Sequence, residues 1–181
     1  MNSPYELLAG LALLREKSRE AGDAGDSNLN AWSALVVRIG GIHFVIAQDD
    51  IEEILTQDKL TQVRGVAPWF VGVGFFQGKL LNVIDGQRLL GTESQQDRML
   101  LAAVRILVIP GDKEWFGLKV DELMGIRHVW ADYAGPPKQT EKGDWINYVE
   151  HWIEIKEQLM PVLNVKKMAS VLERSDVSET V

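Results

Sequence analysis

Between residues 34 and 164, short apolar runs alternate with turn residues, which is the pattern of β-strands joined by hairpins. "ALVVRI" and "IHFVIA" are the first pair of such runs, and further pairs follow along the chain. The turns between paired runs lie at Gly40-Gly41, Gln77-Gly78, Pro110 to Lys113, and Lys156 to Gln158. We therefore predict a mostly β protein with short helices, built as small barrels or a sandwich.

The segment "DDIEEIL" at residues 49–55 interrupts this β pattern. Its capping residues and apolar spacing predict one or two helical turns. The dense acid here is interpreted as a solvated helix start in preference to an acidic binding patch, because carboxylates stabilise helix N-termini.

A separate helix is predicted at the start of the chain. Ser3 suits the N-cap, Pro4 suits the first helical position, and Glu6 completes a capping box. The leucines that follow share one helical face: Leu7, Leu8, Leu11 and Leu14. The sequence therefore predicts an amphipathic helix over residues 1–20.

Composition then divides the rest of the chain. The Gly, Asp, Ser and Asn residues of "EAGDAGDSNLN" predict a linker over residues 21–31. The length of 181 residues fits a single domain, or two small lobes that share a core. We predict that this domain extends from residue 32 to residue 170. The polar end of the chain favours a disordered tail over residues 171–181.

Two stretches of the sequence recur later in the chain. Placing "GKLLNVIDGQRLLG" over "EQLMPVLNVKKMAS" matches Leu80 with Leu159, Val83 with Val162, Ile84 with Leu163, Asp85 with Asn164, and Leu89 with Met168. A second match places "HFVIAQDDIEEIL" over "WFGLKVDELMGI" and aligns Phe44 with Phe116. Both matches occur in the same order, so we predict two lobes of similar build.

Asp85 follows an apolar run and resembles either a catalytic carboxylate or a helix cap. Its counterpart is Asn164, which caps a helix as well as aspartate does but cannot act as a general base. Capping explains both positions, whereas catalysis explains one. We therefore favour a structural role for Asp85.

Charge and cysteine content exclude several classes of function. The formal net charge is −7 and Lys166-Lys167 is the only basic pair of note, so nucleic-acid binding is not expected. The chain contains no cysteine, which removes disulfides and thiolate chemistry. No apolar run has the length of a membrane span, and the N-terminus does not resemble a signal peptide. We expect a cytoplasmic protein without direct membrane insertion.

Catalytic motifs are weak in this sequence. The "GVG" at 72–74 lacks the third glycine of a dinucleotide fingerprint and lies inside a strand pattern. His43, His128 and His151 are far apart and do not form a metal-binding motif. We therefore expect no catalytic residue, metal or cofactor, and interpret the chain as a binding module.

Three stretches carry a resemblance to a known family. They are "LVVRIGGIHFVIAQDDIEEIL" at 35–55, "FFQGKLLNVIDGQRLLG" at 75–91 and "FGLKVDELMG" at 116–125. Together they resemble a CheW-like domain over roughly residues 34 to 170, and the last stretch is the most specific match. The leading helix and linker resemble the PilI type, the CheW-like adaptor of twitching-motility systems.

The resemblance implies two intertwined five-stranded SH3-like β-barrels with a hydrophobic junction. It also implies a non-enzymatic adaptor that joins the cytoplasmic tip of a methyl-accepting chemotaxis receptor to the regulatory domain of a CheA-like histidine kinase. The receptor tip is a helical hairpin, whose apolar side chains are expected in a groove between the barrels. Such a protein is cytoplasmic and recruited to membrane receptor arrays.

The core block departs from the family pattern. Phe75 stands in place of the usual Asn, Gln77 in place of Arg, Asn82 in place of Pro, and Gly86 in place of Leu. The family's Arg-Gly pair lies near the receptor contact, so Gln77 removes a charge there. Either the receptor pairing differs in this protein, or the partner does.

The matched blocks predict two sets of functional positions. The partner-binding set is Trp69, Phe75, Gln77, Lys79, Asn82, Val120 and Asp121, and the structural set is Gly78, Val83, Ile84, Asp85 and Asn164. Other hypotheses remain open: a CheW-fold regulatory or scaffold protein with a different partner, or a small β-barrel ligand-binding protein or enzyme. An enzyme would need a pocket in which several titratable groups converge, and the repeat already weakens Asp85 as one of them.

Overall fold

The computed structural model describes residues 31–56, 60–92, 104–129, 133–134 and 143–175. The predicted helix at 1–20 and the linker up to residue 30 lie outside the described residues, as do residues 176–181 of the predicted tail. The C-terminal helix continues to Ser175, past the boundary predicted at residue 170. Residues 171–175 are therefore helical and do not belong to a disordered tail.

Short strands dominate the described residues, which confirms the mostly β prediction. The strands are β1 Trp32–Ile39, β2 Ile42–Ala47, β3 Glu53–Thr56, β4 Phe70–Phe76, β5 Lys79–Asp85, β6 Arg105–Pro110, β7 Trp115–Val120, β8 Glu122–Val129, β9 Tyr133–Ala134, β10 Val149–Ile155 and β11 Gln158–Leu163. The helices are α1 Gly86–Leu90 and α2 Val165–Ser175, with 3₁₀ turns at Gln48–Asp50 and Asp144–Tyr148.

The strands form two sheets, one of six strands in the order β8-β1-β2-β11-β10-β9 and one of five in the order β3-β6-β7-β5-β4. All of the predicted hairpins are present, as the antiparallel pairs β1–β2, β4–β5, β6–β7 and β10–β11. The resemblance implied two five-stranded barrels. A barrel closes when its first and last strands pair. Within the described ranges, the edge strands of each sheet do not pair with each other: β8 and β9 in one sheet, β3 and β4 in the other.

Five strands of the six-stranded sheet repeat the five-stranded sheet in order and direction. β8, β1, β2, β11 and β10 correspond to β3, β6, β7, β5 and β4. The register agrees with the sequence repeat, because Val83 pairs with Gly117 in one parallel ladder and Val162 pairs with Val45 in the other. Strand β3 follows the β1–β2 hairpin along the chain but pairs in the five-stranded sheet, and β8 follows the β6–β7 hairpin but pairs in the six-stranded sheet. This exchange is the intertwining that the resemblance implied.

The prediction of helical turns over residues 49–55 is only partly correct. A short 3₁₀ turn covers Gln48–Asp50, and the residues after it form β3, which pairs with β6. The Glu52 N–H also donates to the Val108 carbonyl at 2.9 Å. Pairing with β6 satisfies backbone groups that a very short helix leaves without partners. Tertiary pairing therefore overrides the local acidic pattern.

The core contains one large cluster with side chains from both sheets and a smaller cluster within each sheet. Strand β5 contributes to two of them. Leu81 and Val83 join the cluster of the five-stranded sheet, whereas Ile84 joins the shared cluster together with Phe44 and Phe116. A strand with buried side chains on both faces has a nearly continuous apolar sequence, which explains why Leu81, Val83 and Ile84 are all apolar.

Candidate functional site

The β4–β5 hairpin places two large apolar side chains in solvent. Phe75 is 76% exposed and Leu80 is 58% exposed, the highest values among the large hydrophobic side chains of the described residues. They are direct cross-strand partners, so both side chains lie on one face. Their neighbours Phe76 and Leu81 point to the other face and are buried. We call Phe75 and Leu80 the apolar pair.

The turn that joins these strands fixes the register of the apolar pair. Gln77 has a φ of 48° and Gly78 a φ of 77°, and positive φ at both central residues is the feature of a tight hairpin turn whose twist matches the strands. The exposed Lys79 follows, with its Nζ 5.5 Å from the centre of the Trp115 ring. A cation at this distance from a ring face is attracted by the π electrons, so a positive charge lies beside the turn.

Trp69 and Asn82 line a small cleft between the five-stranded sheet and α2. Asn82 Nδ2 donates to Glu114 Oε2 at 2.8 Å. Trp69 is half-buried, and its ring centre lies 6.5 Å from that of Phe70. The structure therefore brings most of the predicted partner-binding residues together on or next to the β4–β5 hairpin: Trp69, Phe75, Gln77, Lys79 and Asn82.

The other two predicted partner-binding residues lie elsewhere. Val120 is 0% exposed and belongs to the core cluster shared by the sheets, so its side chain is removed from the candidate surface. Asp121 accepts hydrogen bonds from the Gly40 N–H at 2.6 Å and from Gln87 Nε2 at 2.7 Å. These bonds hold the β1–β2 hairpin against α1, so the Asp121 carboxylate has an internal structural role.

Asp85 and Asn164 each end a strand and begin a helix, and both predicted caps are present. Asp85 Oδ1 accepts the Arg88 N–H at 3.3 Å, and Asn164 Oδ1 accepts the Lys167 N–H at 2.8 Å. The second oxygen of Asp85 lies 3.3 Å from Lys119 Nζ. Both oxygens of the Asp85 carboxylate therefore have structural partners, which agrees with capping in preference to catalysis.

Within the described residues, no group of three or more His, Cys, Asp or Glu is placed to hold a metal ion. Lys166 Nζ lies 2.6 Å from Asp50 Oδ1, and this hydrogen bond, with Coulombic attraction to the same carboxylate, raises the pKa of Lys166. The pair links the start of α2 to the turn after β2.

Over the part of the chain that the structure describes, no helix has the length and apolar character needed to cross a membrane.

Sequence reasoning did not assign Leu80, Trp115 or Leu172 to a site. Leu80 could have been found, because a turn at Gln77-Gly78 places position 75 opposite position 80. Trp115 and Leu172 reach the cleft from β7 and α2. Their approach depends on long-range packing, for which a single sequence carries no local signal.

Two sheets with a repeated topology, and an exposed apolar pair on one hairpin, define a two-sheet β module. A family model described as a CheW-like domain matches residues 33–173, most of the chain. The chain therefore belongs to the CheW-like family, which confirms the predicted resemblance and the class of adaptor or scaffold protein.

Two known proteins illustrate this relationship. Protein PilI from Pseudomonas aeruginosa is 29% identical over 154 residues, which cover 83% of this chain and 85% of PilI. The crystal structure of scaffolding protein TtCheW from Thermoanaerobacter tengcongensis aligns with a TM-score of 0.65 at 15% identity, and covers 78% of this chain and 91% of that chain. The first match is a likeness of sequence, and the second shows a shared fold.

Proposed function

We propose that this protein is a signalling adaptor without catalytic activity, which couples a methyl-accepting chemotaxis receptor to the regulatory domain of a CheA-like histidine kinase. Membership of the CheW-like family supports the adaptor class. The likeness to PilI supports a place in the control of type IV pilus twitching motility. The adaptor acts in the cytoplasm, recruited to membrane receptor arrays.

The apolar pair is the observation that carries this proposal. Single exposed apolar side chains are common on protein surfaces, but Phe75 and Leu80 are adjacent and held in register by a rigid hairpin. Burying a side chain of this size against a partner contributes about 1.5–3 kcal/mol. A partner that covers both residues therefore gains much of the free energy required for a weak, reversible contact.

A helical hairpin suits this surface. An amphipathic helix binds by placing apolar side chains against a hydrophobic groove. Leu80 lies on the same face of β5 as Asn82, which lines the cleft beneath α2. Gln77 lies at the tip of the same hairpin and is uncharged, so the partner does not need a carboxylate at that point of contact. The departure from the family's Arg therefore changes specificity and leaves the mode of binding intact.

Calorimetry tests the proposal with the purified protein, the regulatory domain of the kinase encoded beside it, and the matching receptor tip hairpin. We expect saturable micromolar binding. Phe75→Ser or Leu80→Ser should weaken binding by about tenfold or more, because each removes a buried apolar contact. Leu159→Ser is the matched control, since Leu159 is the counterpart of Leu80 and is exposed on the other sheet.

The outcomes separate the possibilities. Equal losses from Leu80→Ser and Leu159→Ser would show that the apolar pair is not the contact surface. Failure of the folded wild-type protein to bind either component would mean that this CheW-like fold serves a different partner.

A further inference from the structure

The internal repeat allows places in one sheet to be compared with their counterparts in the other. From the segment just before β4 to the end of α1, the counterpart of a residue lies 79 positions later, as Asn164 does for Asp85. Backbone bonds follow this rule: the Asp85 N–H donates to the Trp69 carbonyl at 2.7 Å, and the Asn164 N–H donates to the Tyr148 carbonyl at 2.8 Å. The two halves are therefore comparable residue by residue at this point.

In the six-stranded sheet, Trp145 fills the space beside Phe44. Trp145 lies in the 3₁₀ turn before β10 and is 4% exposed. Its ring packs edge-on against Phe44, with 5.5 Å between ring centres, and lies 6.0 Å from the ring of Trp152. This place is closed by residues of the same domain.

In the five-stranded sheet, the equivalent place is left open. The counterpart of Trp145 is Val66, which is 39% exposed, and the counterpart of Phe44 is Phe116. Phe116 forms one wall of a cleft, which we call the open cleft. Its other apolar walls come from Trp69, Ile84, Trp115 and Leu172. The open cleft is thus the copy of the place that Trp145 fills, with valine in place of tryptophan at the counterpart position 66.

The size of the open cleft limits what it accepts. Its volume is about 40 Å³, far below the roughly 300–1,000 Å³ of pockets for small-molecule ligands. Trp69 stands where the filled copy has Tyr148 and narrows the cleft, whereas the Trp115 ring packs against Phe76 on the other face of β7, with 5.2 Å between ring centres. The remaining volume suits the end of one aliphatic side chain.

Acidic side chains lie at the mouth of the open cleft. Glu114 stands where the filled copy has Ile42, and Glu114 and Glu173 both line the opening. Glu173 Oε1 accepts the Lys113 N–H at 3.1 Å, which holds that carboxylate in place. An apolar floor with a charged rim is the arrangement of a protein–protein contact, and carboxylates on the rim favour a cationic neighbour.

We propose that the open cleft binds a segment of a partner protein that inserts one aliphatic side chain, leucine or methionine in size, and carries a lysine or arginine beside it. The proposal deepens the proposed function, on which it rests for the statement that the segment belongs to a signalling partner. The internal repeat supplies the physical reason, because the same place in the other half is stabilised by a large apolar side chain.

The test is an NMR titration of the ¹⁵N-labelled full-length protein, which reads the indole N–H signals. The titrant is a lysine-bearing helical peptide of about 15 residues with one central leucine, and its counterpart has a central alanine. We expect the Trp69 signal to shift and saturate, with the Trp145 signal unchanged. The alanine peptide should bind at least about tenfold more weakly, since it buries less apolar area.

Charge reversal gives a matched control. The double variant Glu114→Lys with Glu173→Lys should lose the lysine-bearing peptide and bind a glutamate-bearing version of it. Glu150→Lys with Glu154→Lys makes the same change in net charge on β10 and should bind like wild type. Dispersed spectra establish that each variant is folded.

Equal shifts with the alanine peptide, shifts that extend to Trp145, insensitivity to charge reversal, or no shift with the leucine peptide would each overturn the open-cleft proposal. Calorimetry with the kinase domain and the receptor hairpin remains an independent test of the adaptor function. Binding there without a peptide response here refutes the cleft and leaves the adaptor function standing.

Discussion

Asp85 and Asn164 occupy the same place in two copies of one substructure. Each ends the strand that lies parallel to its neighbour, and each side-chain oxygen accepts an N–H from the residue three positions later. The helices that they cap also carry matching basic residues. Arg88 Nη1 donates to the Pro68 carbonyl at 3.0 Å, and Lys167 Nζ donates to the Asn147 carbonyl at 2.8 Å. The repeat is therefore one of hydrogen bonds as well as of strand order.

Asp85→Asn should leave folding nearly unchanged. Asparagine caps as well as aspartate, and the lost ion pair with Lys119 is partly exposed, so the free energy of unfolding should fall by less than about 1 kcal/mol. Asp85→Ala removes the cap and should cost about 1–2 kcal/mol. Urea denaturation measures both. A folded Asp85→Asn protein that has lost signalling would return Asp85 to the list of catalytic candidates.

Ile84→Ala should lower the free energy of unfolding by about 2–5 kcal/mol, because truncating a buried side chain removes apolar burial and leaves a cavity. Ile84 is 1% exposed in the cluster shared by the sheets. Leu80→Ala, on the same strand but in solvent, should change it by less than about 0.5 kcal/mol. Similar losses in the two denaturation curves would mean that β5 is not oriented as described.

Glu157→Gly should stabilise the domain. The β10–β11 turn places Lys156 at a φ of 51° and Glu157 at a φ of 62°, a left-handed conformation that strains residues with a Cβ atom. The corresponding β4–β5 turn has glycine at that position. We expect a gain of about 0.5–1 kcal/mol in chemical denaturation, because relief of strain exceeds the entropy cost of glycine. Gln158→Gly, in the adjoining strand, should be destabilising, and a loss of stability from Glu157→Gly would contradict the strain.

The Lys166–Asp50 pair should contribute to stability only below strongly alkaline pH. Asp50, first through its hydrogen bond and then through its charge, raises the folded pKa of Lys166 above the ordinary 10.5. Stability from a raised pKa is fully present below the unfolded value and is lost as pH rises through the folded one. The Lys166 side chain is 70% exposed, so screening keeps the contribution below about 1 kcal/mol.

Denaturation of wild type and Lys166→Gln at a series of pH values checks this prediction. The difference between the two proteins should be constant from neutral pH to about pH 9.5 and shrink above the ordinary lysine pKa of 10.5. Asp50→Asn in the Lys166→Gln background is the control and should add little. A difference that grows above pH 10.5 would have the wrong sign for a raised lysine pKa.

Much of the candidate surface followed from short-range patterns. The Gln77-Gly78 turn fixes which residues of β4 and β5 face each other, so the hairpin that carries Phe75 was predictable. The exposure of Phe75 was not predictable from local pattern, because Phe75 and Phe76 are adjacent and chemically identical in "GFFQG". Only the inward packing of Phe76 decides which of the two side chains points to solvent. Val120 shows the opposite outcome, since a strong motif match identified a residue that packing hides.

The sequence by itself determined the four hairpins, the caps at Asp85 and Asn164, and the internal repeat, because turn conformation, capping and strand alternation depend on residues within a few positions of each other. Only the tertiary structure decided that residues 53–56 form a strand, that β3 and β8 exchange between the sheets, and that Trp145 fills one copy of a cleft whose other copy stays open. Those outcomes depend on pairing and packing between residues far apart in the chain.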